Sequence, residues 1–187
     1  MQGDGDERMA GDPSLQTGAD GDAGAYDSGD FIPNFVSKSS VTYGSMAATI
    51  SDIQITDLIG RPRNVLVSGL RYRYRYRVDF LQDAEAVSFG MLIKTVQGFE
   101  LGGANNENRK LKAFAQGQTA QAHFDFTCNL LPGAYFCNAG VFGAVAGGER
   151  SHLHRILDAI AFRVVRDPAD PGFAQGIVHL QPELMIG

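Results

Sequence analysis

Apolar and polar residues alternate with a period of two along most of the chain from about residue 40 onward, and turn residues interrupt the pattern about every ten positions. Such alternation is typical of strands with one buried and one exposed face, and regular turn signals are typical of a β-sandwich or barrel. The pattern predicts strands at residues 47–58, 65–67, 70–81, 86–95, 99–102, 119–128, 133–142, 160–165 and 176–184.

Eight or nine strands without alternating helices predict an all-β protein, folded as an antiparallel sandwich of two sheets. Two departures from strict alternation matter. A bulge within residues 47–58 would shift Ile50 from the face that carries Ile53 and Ile55. In the segment SHLHRILDAI, residues 151–160, apolar residues recur at helical spacing, which predicts one or two helical turns.

Residues 70–81, LRYRYRYRVDFL, form the most regular strand pattern in the chain. The even positions end in plainly apolar residues and should face the core, so the odd positions face solvent. The odd positions hold a row of four arginines about 20 Å long: Arg71, Arg73, Arg75 and Arg77.

Two interpretations of the arginine row stay open. The guanidinium groups either pair with carboxylates on neighbouring strands or line a surface for an anionic ligand. A one-residue bulge would invert the faces and offer a platform for sugar stacking instead. That inverted face would consist of Tyr72, Tyr74 and Tyr76.

The net charge of −5 is concentrated near the start of the chain. Residues 1–30 hold seven Asp, one Glu and one Arg, which is −7 and leaves +2 for the remainder. This Gly-rich stretch has few large apolar residues and cannot offset the entropic cost of ordering its backbone. We therefore expect a disordered acidic linker or leader over residues 1–38 and the sandwich over residues 39–187.

The motifs of the common enzyme classes are missing from the sequence. It has no GxxxxGK[ST], GxGxxG, GxSxG or HExxH pattern, which predicts a protein that is not an enzyme. His152 and His154 would point apart on the predicted helix, so we expect neither a metal site nor a cofactor. His123 and Asp125 share a predicted exposed face without a nucleophile, which favours polar surface residues over a catalytic pair.

The cysteine count, the apolar stretches, the charge and the aromatic positions indicate the cellular setting and the class of ligand. Two cysteines cannot form a disulfide framework, and no signal segment or membrane-length apolar stretch is seen, which favours the cytoplasm. The predicted domain is only slightly basic and its aromatic residues alternate to the buried face. Both observations argue against nucleic acid and favour a less densely charged polymer, such as a sugar chain with acidic groups.

Several segments, taken in order, carry a resemblance to a known family. They are ATISDIQITDLIGRP, the alternating strand after SGL, GFELGGANNEN, the spacing from FAQGQ to AHFDF, LLPGAYFCNAGV and DAIAFRVV. Together they cover about residues 42–184 and resemble the C-terminal carbohydrate-binding domain of Wzt, the ATP-hydrolysing subunit of bacterial O-antigen polysaccharide exporters. Within them LPGAYF is the most specific, and Asn105-Asn106 stands where the family has Asn-Thr.

The resemblance implies an immunoglobulin-like β-sandwich that binds the non-reducing end of a finished glycan and catalyses nothing. The implied partners are the polysaccharide, the ATPase domain, the membrane permease of the exporter and a second copy of the chain. In the implied homodimer, the protomers exchange the strand at residues 176–184. The implied location is the cytoplasm, peripheral to the inner membrane through the transporter, with the ATPase domain N-terminal to this one.

In the family the glycan lies on an exposed sheet face. The alternation pattern then predicts glycan contacts from Arg71, Arg73, Arg75, His123, Asp125 and Asn138. The arginines would hold an acidic sugar or a phosphate cap, while Asp125 and Asn138 would hydrogen-bond to hydroxyl groups. The alternative function is an immunoglobulin-like module that binds another protein through its sheet edge or loops. A glycan-modifying enzyme would need a catalytic cluster that the sequence lacks.

Overall fold

The computed structural model describes residues 15–16, 31–33, 35–109, 111–169 and 175–180. Within them the chain forms twelve strands: β1 (Leu15–Gln16), β2 (Val36–Ser37), β3 (Val41–Tyr43), β4 (Ala48–Thr56), β5 (Val65–Val67), β6 (Arg71–Phe80), β7 (Ala84–Thr95), β8 (Glu100–Asn105), β9 (Lys112–Phe114), β10 (Thr119–Thr127), β11 (Gly133–Val145) and β12 (Ser151–Val165). No helix in these ranges is long and apolar enough to cross a membrane.

The strands form two main sheets that face each other across one core. One sheet has the order β10-β6-β4. The other has the order β3-β12-β11-β7-β8, with β5 beside β12 and β9 beside β7. Neighbouring strands are antiparallel, except that β5 runs parallel to β12. The predicted all-β sandwich is therefore confirmed, and β1 and β2 add a separate two-residue pairing.

The faces predicted for residues 70–81 are correct. Tyr74 and Tyr76 are each 0% exposed and pack in the core between the sheets. The ladder between β6 and β10 runs without a register shift from Arg71 opposite Thr127 to Asp79 opposite Thr119. Because no bulge interrupts this ladder, the side chains keep strict alternation, and the inverted face with exposed tyrosines is wrong.

The bulge expected in the first long strand is present in β4. The register with β6 shifts between Ser51 and Gln54, and Asp52 has a φ of 50°. Asp tolerates this left-handed conformation better than most residues, because its short polar side chain bonds locally. The bulge lets both Ile50 and Ile55 point into the core, where each is buried, so the expected shift of Ile50 away from the face of Ile55 is wrong.

The segment SHLHRILDAI belongs to β12, so the helical turns predicted for it are wrong. β12 has three residues between Ile156 and Ile160, whereas β11 has only one between their partners Ala139 and Cys137. The bulge includes Asp158, whose φ is 51°. A bulge inserted into a period of two places apolar residues three and four apart, and this spacing imitates a helix.

Part of the predicted linker packs against the sandwich. Phe35 is buried in a small cluster with Phe136 and Ala161 on the outer face of the larger sheet. The Asn64 side chain accepts a hydrogen bond from the Ile32 backbone N–H and donates one to the Ile32 carbonyl, both at 2.8 Å. Residues 1–14 and 17–30 of the predicted linker lie outside the described residues.

Two expectations about segment ends differ from the structure. The strand predicted at residues 99–102 ends later than expected, because β8 continues to Asn105 and pairs with β7. Residues 176–180, the described part of the predicted last strand, form one isolated bridge, between Val178 and Leu130. Residues 181–184 lie outside the described residues.

Candidate functional site

The outward side chains of β10-β6-β4 form a surface that we call the arginine face. Asp125 lies opposite Arg73 across the β6–β10 ladder and binds its guanidinium through both oxygens, at 2.6 and 2.8 Å. Hydrogen bonding to Asp125 raises the pKa of Arg73, and the same contact lowers the pKa of Asp125. Arg75 donates to the side-chain Oε1 atom of Gln54 at 2.8 Å. The pairing interpretation is therefore correct for Arg73.

The arginine face brings together five of the six predicted contact residues: Arg71, Arg73, Arg75, His123 and Asp125. At the far end of the row, Arg77 binds Asp79 at 2.7 Å. Arg71 is exposed and makes no ion pair with the residues that the structure describes. Arg71 and Arg75 are thus the arginines of this face that bind no described carboxylate, since Arg75 bonds to the neutral side chain of Gln54.

Asn138 does not belong to the arginine face, and the prediction that it shares that face is wrong. It lies on β11 in the opposite sheet and is only 4% exposed. The β12 bulge brings the Asp158 backbone N–H to 2.8 Å from the Asn138 Oδ1 atom, to which it donates. Alternation places Asn138 outward from its own sheet, but it cannot show which sheet a strand joins.

The outer face of the larger sheet contains a cavity of about 480 Å³ that we call the glycine-floored depression. Its floor includes Gly90 and Gly140, which face each other across the β7–β11 ladder. A Cβ atom on Gly90 would lie 3.6 Å from the Ala104 carbonyl oxygen, and one on Gly140 would lie 3.9 Å from Cγ of Arg155. Both are ordinary contact distances, so the floor is bare because the sequence supplies no side chain there.

Tyr76 supports this floor from the core side. Its hydroxyl donates to the Gly140 carbonyl at 2.8 Å and accepts from the Gly90 N–H at 3.1 Å. Burial raises the pKa of Tyr76 well above its usual value, so the hydroxyl stays protonated and able to donate. One side chain of the smaller sheet therefore fixes the backbone that forms the depression.

We expect Tyr76→Phe to lower the free energy of unfolding by about 1–3 kcal/mol, because buried backbone groups of Gly90 and Gly140 lose their partner. Tyr74→Phe is the matched control. Tyr74 lies on the same strand and is equally buried, but its hydroxyl bonds to no described backbone group and has the Cys137 thiol as its polar neighbour. Urea denaturation measures the free energy of unfolding of both variants. Equal losses would contradict the conclusion that the Tyr76 hydroxyl supports the floor of the depression.

The rim of the depression carries hydrogen-bond donors that the described protein does not use. The Arg155 guanidinium lies 3.3 Å from Nε2 of His152 and over the Tyr43 ring, and no carboxylate pairs with it among the described residues. Burial and the nearby Arg155 charge lower the pKa of His152, which favours the neutral imidazole. The amide nitrogen of Asn138 donates no hydrogen bond within the described ranges.

The acidic group of the rim is compensated. Glu107 accepts hydrogen bonds from the Ser88 hydroxyl and, at 2.8 Å, from Arg150, and these two contacts lower its pKa. The Arg150 guanidinium also stacks 4.9 Å from the centre of the Phe142 ring. Because Glu107 is neutralised and Arg155 is not, the depression has a positive bias that suits a ligand with an anionic group.

A second cavity, which we call the edge groove, has a volume of about 500 Å³ and lies between β8 and β10. The half-buried rings of Phe124 and Phe126 line it, together with His123 and Asp125. Its other polar lining residues are three amides, a cation and a hydroxyl: Asn105, Asn106, Asn129, Arg109 and Thr127. Two of the six predicted contact residues, His123 and Asp125, therefore line the edge groove.

Neither cavity can be predicted from the sequence alone. A concave site needs neighbouring strands, and Gly90 and Gly140 meet only because β7 pairs with β11. Their signal in the sequence is a glycine at an outward position of each strand. Among the described residues, no three His, Cys, Asp or Glu side chains gather in a way that could hold a metal ion.

Comparison with known proteins gives a family and a fold. The family model of the Wzt C-terminal domain matches residues 39–180. A solved structure described as the crystal structure of the C-terminal domain of Wzt has a TM-score of 0.70 and 22% identity, over 81% of this chain and 91% of that one. At this identity the likeness shows the fold alone.

A further solved structure is the alkylpurine DNA glycosylase AlkC of Pseudomonas fluorescens bound to DNA containing an abasic site analog. It has a TM-score of 0.37 and 16% identity, over 63% of this chain and 30% of that one, and this low likeness carries no argument. No curated protein matches the chain. Because the family model covers well over half of the sequence, the chain belongs to the Wzt C-terminal domain family.

Proposed function

We propose that this domain is a non-catalytic glycan-binding module of an O-antigen exporter, and that the glycine-floored depression holds the non-reducing end of the polymer. Membership in the Wzt C-terminal domain family supports a role in such an exporter. The observation that carries the binding proposal is the depression itself, which combines a bare backbone floor with the guanidinium of Arg155, to which no described carboxylate binds.

The chemistry of the depression suits a sugar. Its volume of about 480 Å³ falls in the usual range for small-molecule sites, roughly 300–1,000 Å³. Gly90 and Gly140 let a sugar ring approach the sheet closely. Hydroxyl groups both donate and accept hydrogen bonds, and the rim offers donors on Asn138 and Arg155 and acceptor oxygens on Glu107.

The ligand we propose carries a carboxylate or phosphate on or near its terminal sugar. Arg155 presents a planar fork of donors that binds such groups through two oxygens, and no described carboxylate occupies it. The arginine face, with Arg71, Arg73 and Arg75, is a second candidate surface for the same anionic groups. It is the weaker one, because Asp125 already occupies Arg73.

Arg155→Gln is expected to lower the affinity for the acidic O-polysaccharide of the source organism by about 10- to 100-fold, because a charge-assisted hydrogen bond is lost. Calorimetric titration of the purified polymer measures the effect. Arg71→Gln, which removes an exposed charge of the arginine face that no described carboxylate binds, is the matched control and should bind like wild type. The opposite result would move the site to the arginine face, and a wild-type chain that binds no polymer would refute the proposal.

We also propose a homodimer that exchanges residues 176–184, working in the cytoplasm beside the ATPase domain and the membrane permease of the exporter. The support is that residues 175–180 attach through few contacts, including hydrogen bonds from Leu131 N–H to Ile177 and from His179 N–H to Asn129. So few bonds can be exchanged between copies at low cost. A solution mass of a monomer would contradict the exchange.

A further inference from the structure

We propose that the edge groove is a second saccharide subsite, which holds the sugar residues that follow the terminal sugar in the depression. The proposal rests on the proposed function, because both cavities would bind one glycan. The two cavities lie on either side of the edge strand β8 and share its residues Gly103, Ala104 and Asn105. A polymer that ends in the depression therefore reaches the groove by crossing a single strand.

Nothing on β8 obstructs that crossing. Gly102, Gly103 and Ala104 are all exposed and together carry a single methyl group. A Cβ atom on Gly102 would meet nothing within 4 Å, so this position opens directly to solvent. Gly103 differs, because a Cβ there would lie 2.6 Å from the Met91 carbonyl oxygen, and packing alone explains that glycine. The bare position at Gly102 has no such packing explanation.

The lining of the groove combines apolar ring surface with unused amide groups. Phe124 and Phe126 are held against core tyrosines, with ring centres 6.2 and 6.3 Å away respectively, and both line the groove. The Asn129 Oδ1 atom is buried and has no hydrogen-bond partner among the described residues. Asn106 uses its carbonyl oxygen to accept from the Phe89 N–H at 2.7 Å, which leaves its amide donors available.

These groups match the surface of a sugar residue, which has apolar C–H faces and hydroxyl groups at its edges. A buried carbonyl oxygen without a partner costs free energy in the unliganded protein. Because the Asn129 residue lines the groove, a turn of its side chain would expose Oδ1 to a sugar hydroxyl, and that hydrogen bond would remove the cost. The groove thus offers both the apolar contact and the directed polar contact that saccharide binding uses.

The test is a titration of the full chain with O-polysaccharide fragments of one, two and four repeating units that retain the non-reducing end. We expect wild-type affinity to rise at least about ten-fold from the shortest to the longest fragment, because extra sugar residues occupy the groove. Gly102→Leu, which blocks the crossing, and Asn129→Ala should bind the one-unit fragment like wild type and lose most of this gain. Thr49→Leu, exposed on β4 away from both cavities, is the control and should keep it.

Thermal unfolding of each variant separates binding from folding. Asn129→Ala removes a buried oxygen that has no hydrogen-bond partner among the described residues, so its melting temperature should be no lower than that of wild type. If Gly102→Leu does not fold, the binding data of Asn129→Ala decide the test. Wild-type affinity that does not depend on fragment length would overturn the second subsite and leave the depression in place. The second subsite would also be overturned if Gly102→Leu and Asn129→Ala kept the full gain in affinity with fragment length. Failure of every fragment to bind would refute both proposals together.

Discussion

Replacing Asp158 by alanine is expected to lower the free energy of unfolding by about 3–5 kcal/mol, because it leaves a buried lysine without its counter-charge. The Lys94 Nζ atom lies 2.6 Å from Asp158 Oδ1, and the two side chains are only 17% and 9% exposed. The Ser39 hydroxyl donates to the other carboxylate oxygen at 2.6 Å. A loss of this size is a large share of the roughly 5–15 kcal/mol that stabilises an ordinary domain.

The backbone at Asp158 adds to the expected loss. Its φ of 51° is unfavourable for alanine, whereas Asp and Asn adopt this conformation more readily. Asp158→Asn is therefore the matched control, since it keeps the backbone preference and removes only the charge. Urea denaturation should place Asp158→Asn between wild type and Asp158→Ala. Adding Lys94→Met to Asp158→Asn should recover part of the loss, because no unpaired charge then stays buried.

We infer that Asp158 connects the β12 bulge to the chain segment before β3. A loss below about 1 kcal/mol for Asp158→Ala would contradict this structural role. Ser39 lies directly after the segment in which Phe35 packs against the larger sheet. The carboxylate of Asp158 thus links that segment to β12 and, through Lys94, to β7. Removing it affects three parts of the chain at once, which is why the expected effect is large.

The sequence predicted elements well wherever a strand had no bulge. β6 is the clearest case, because its uninterrupted ladder with β10 keeps every even side chain in the core. β12 shows the opposite, since its bulge at Asp158 made a strand look helical. A bulge depends on how two strands pair, and the period of a single strand does not contain that information.

The candidate site was predictable only within one sheet. Arg73 and Asp125 meet because β6 and β10 are neighbours, and outward alternation placed both on the arginine face correctly. Asn138 was assigned to the same face because alternation says inward or outward but never which sheet. The glycine-floored depression needs Gly90 and Gly140 side by side, although they are far apart in the sequence. A glycine also has no side chain whose chemistry could indicate a binding site.

Gly140→Val is expected to reduce glycan binding at least about 100-fold, because the side chain occupies the floor on which the terminal sugar would lie. The fold should accept the change. A Cβ at this position lies no closer than 3.9 Å to its neighbours, and the glycine has no positive φ that a valine would strain. Valine also favours strands more than glycine does, so stability should stay equal or rise.

Gly140→Ala adds a single methyl group at the same position and should cause a much smaller loss of affinity. Across glycine, alanine and valine, the loss of affinity should therefore increase with the volume removed from the depression. Thr49→Val, on the outer face of the smaller sheet, is the control for a valine on an exposed strand position. Titration with the O-polysaccharide and thermal unfolding are measured on the same samples. If Gly140→Val folds normally and binds like wild type, the terminal sugar lies elsewhere. A graded loss without any change in melting temperature requires the ligand to contact the bare backbone of β11.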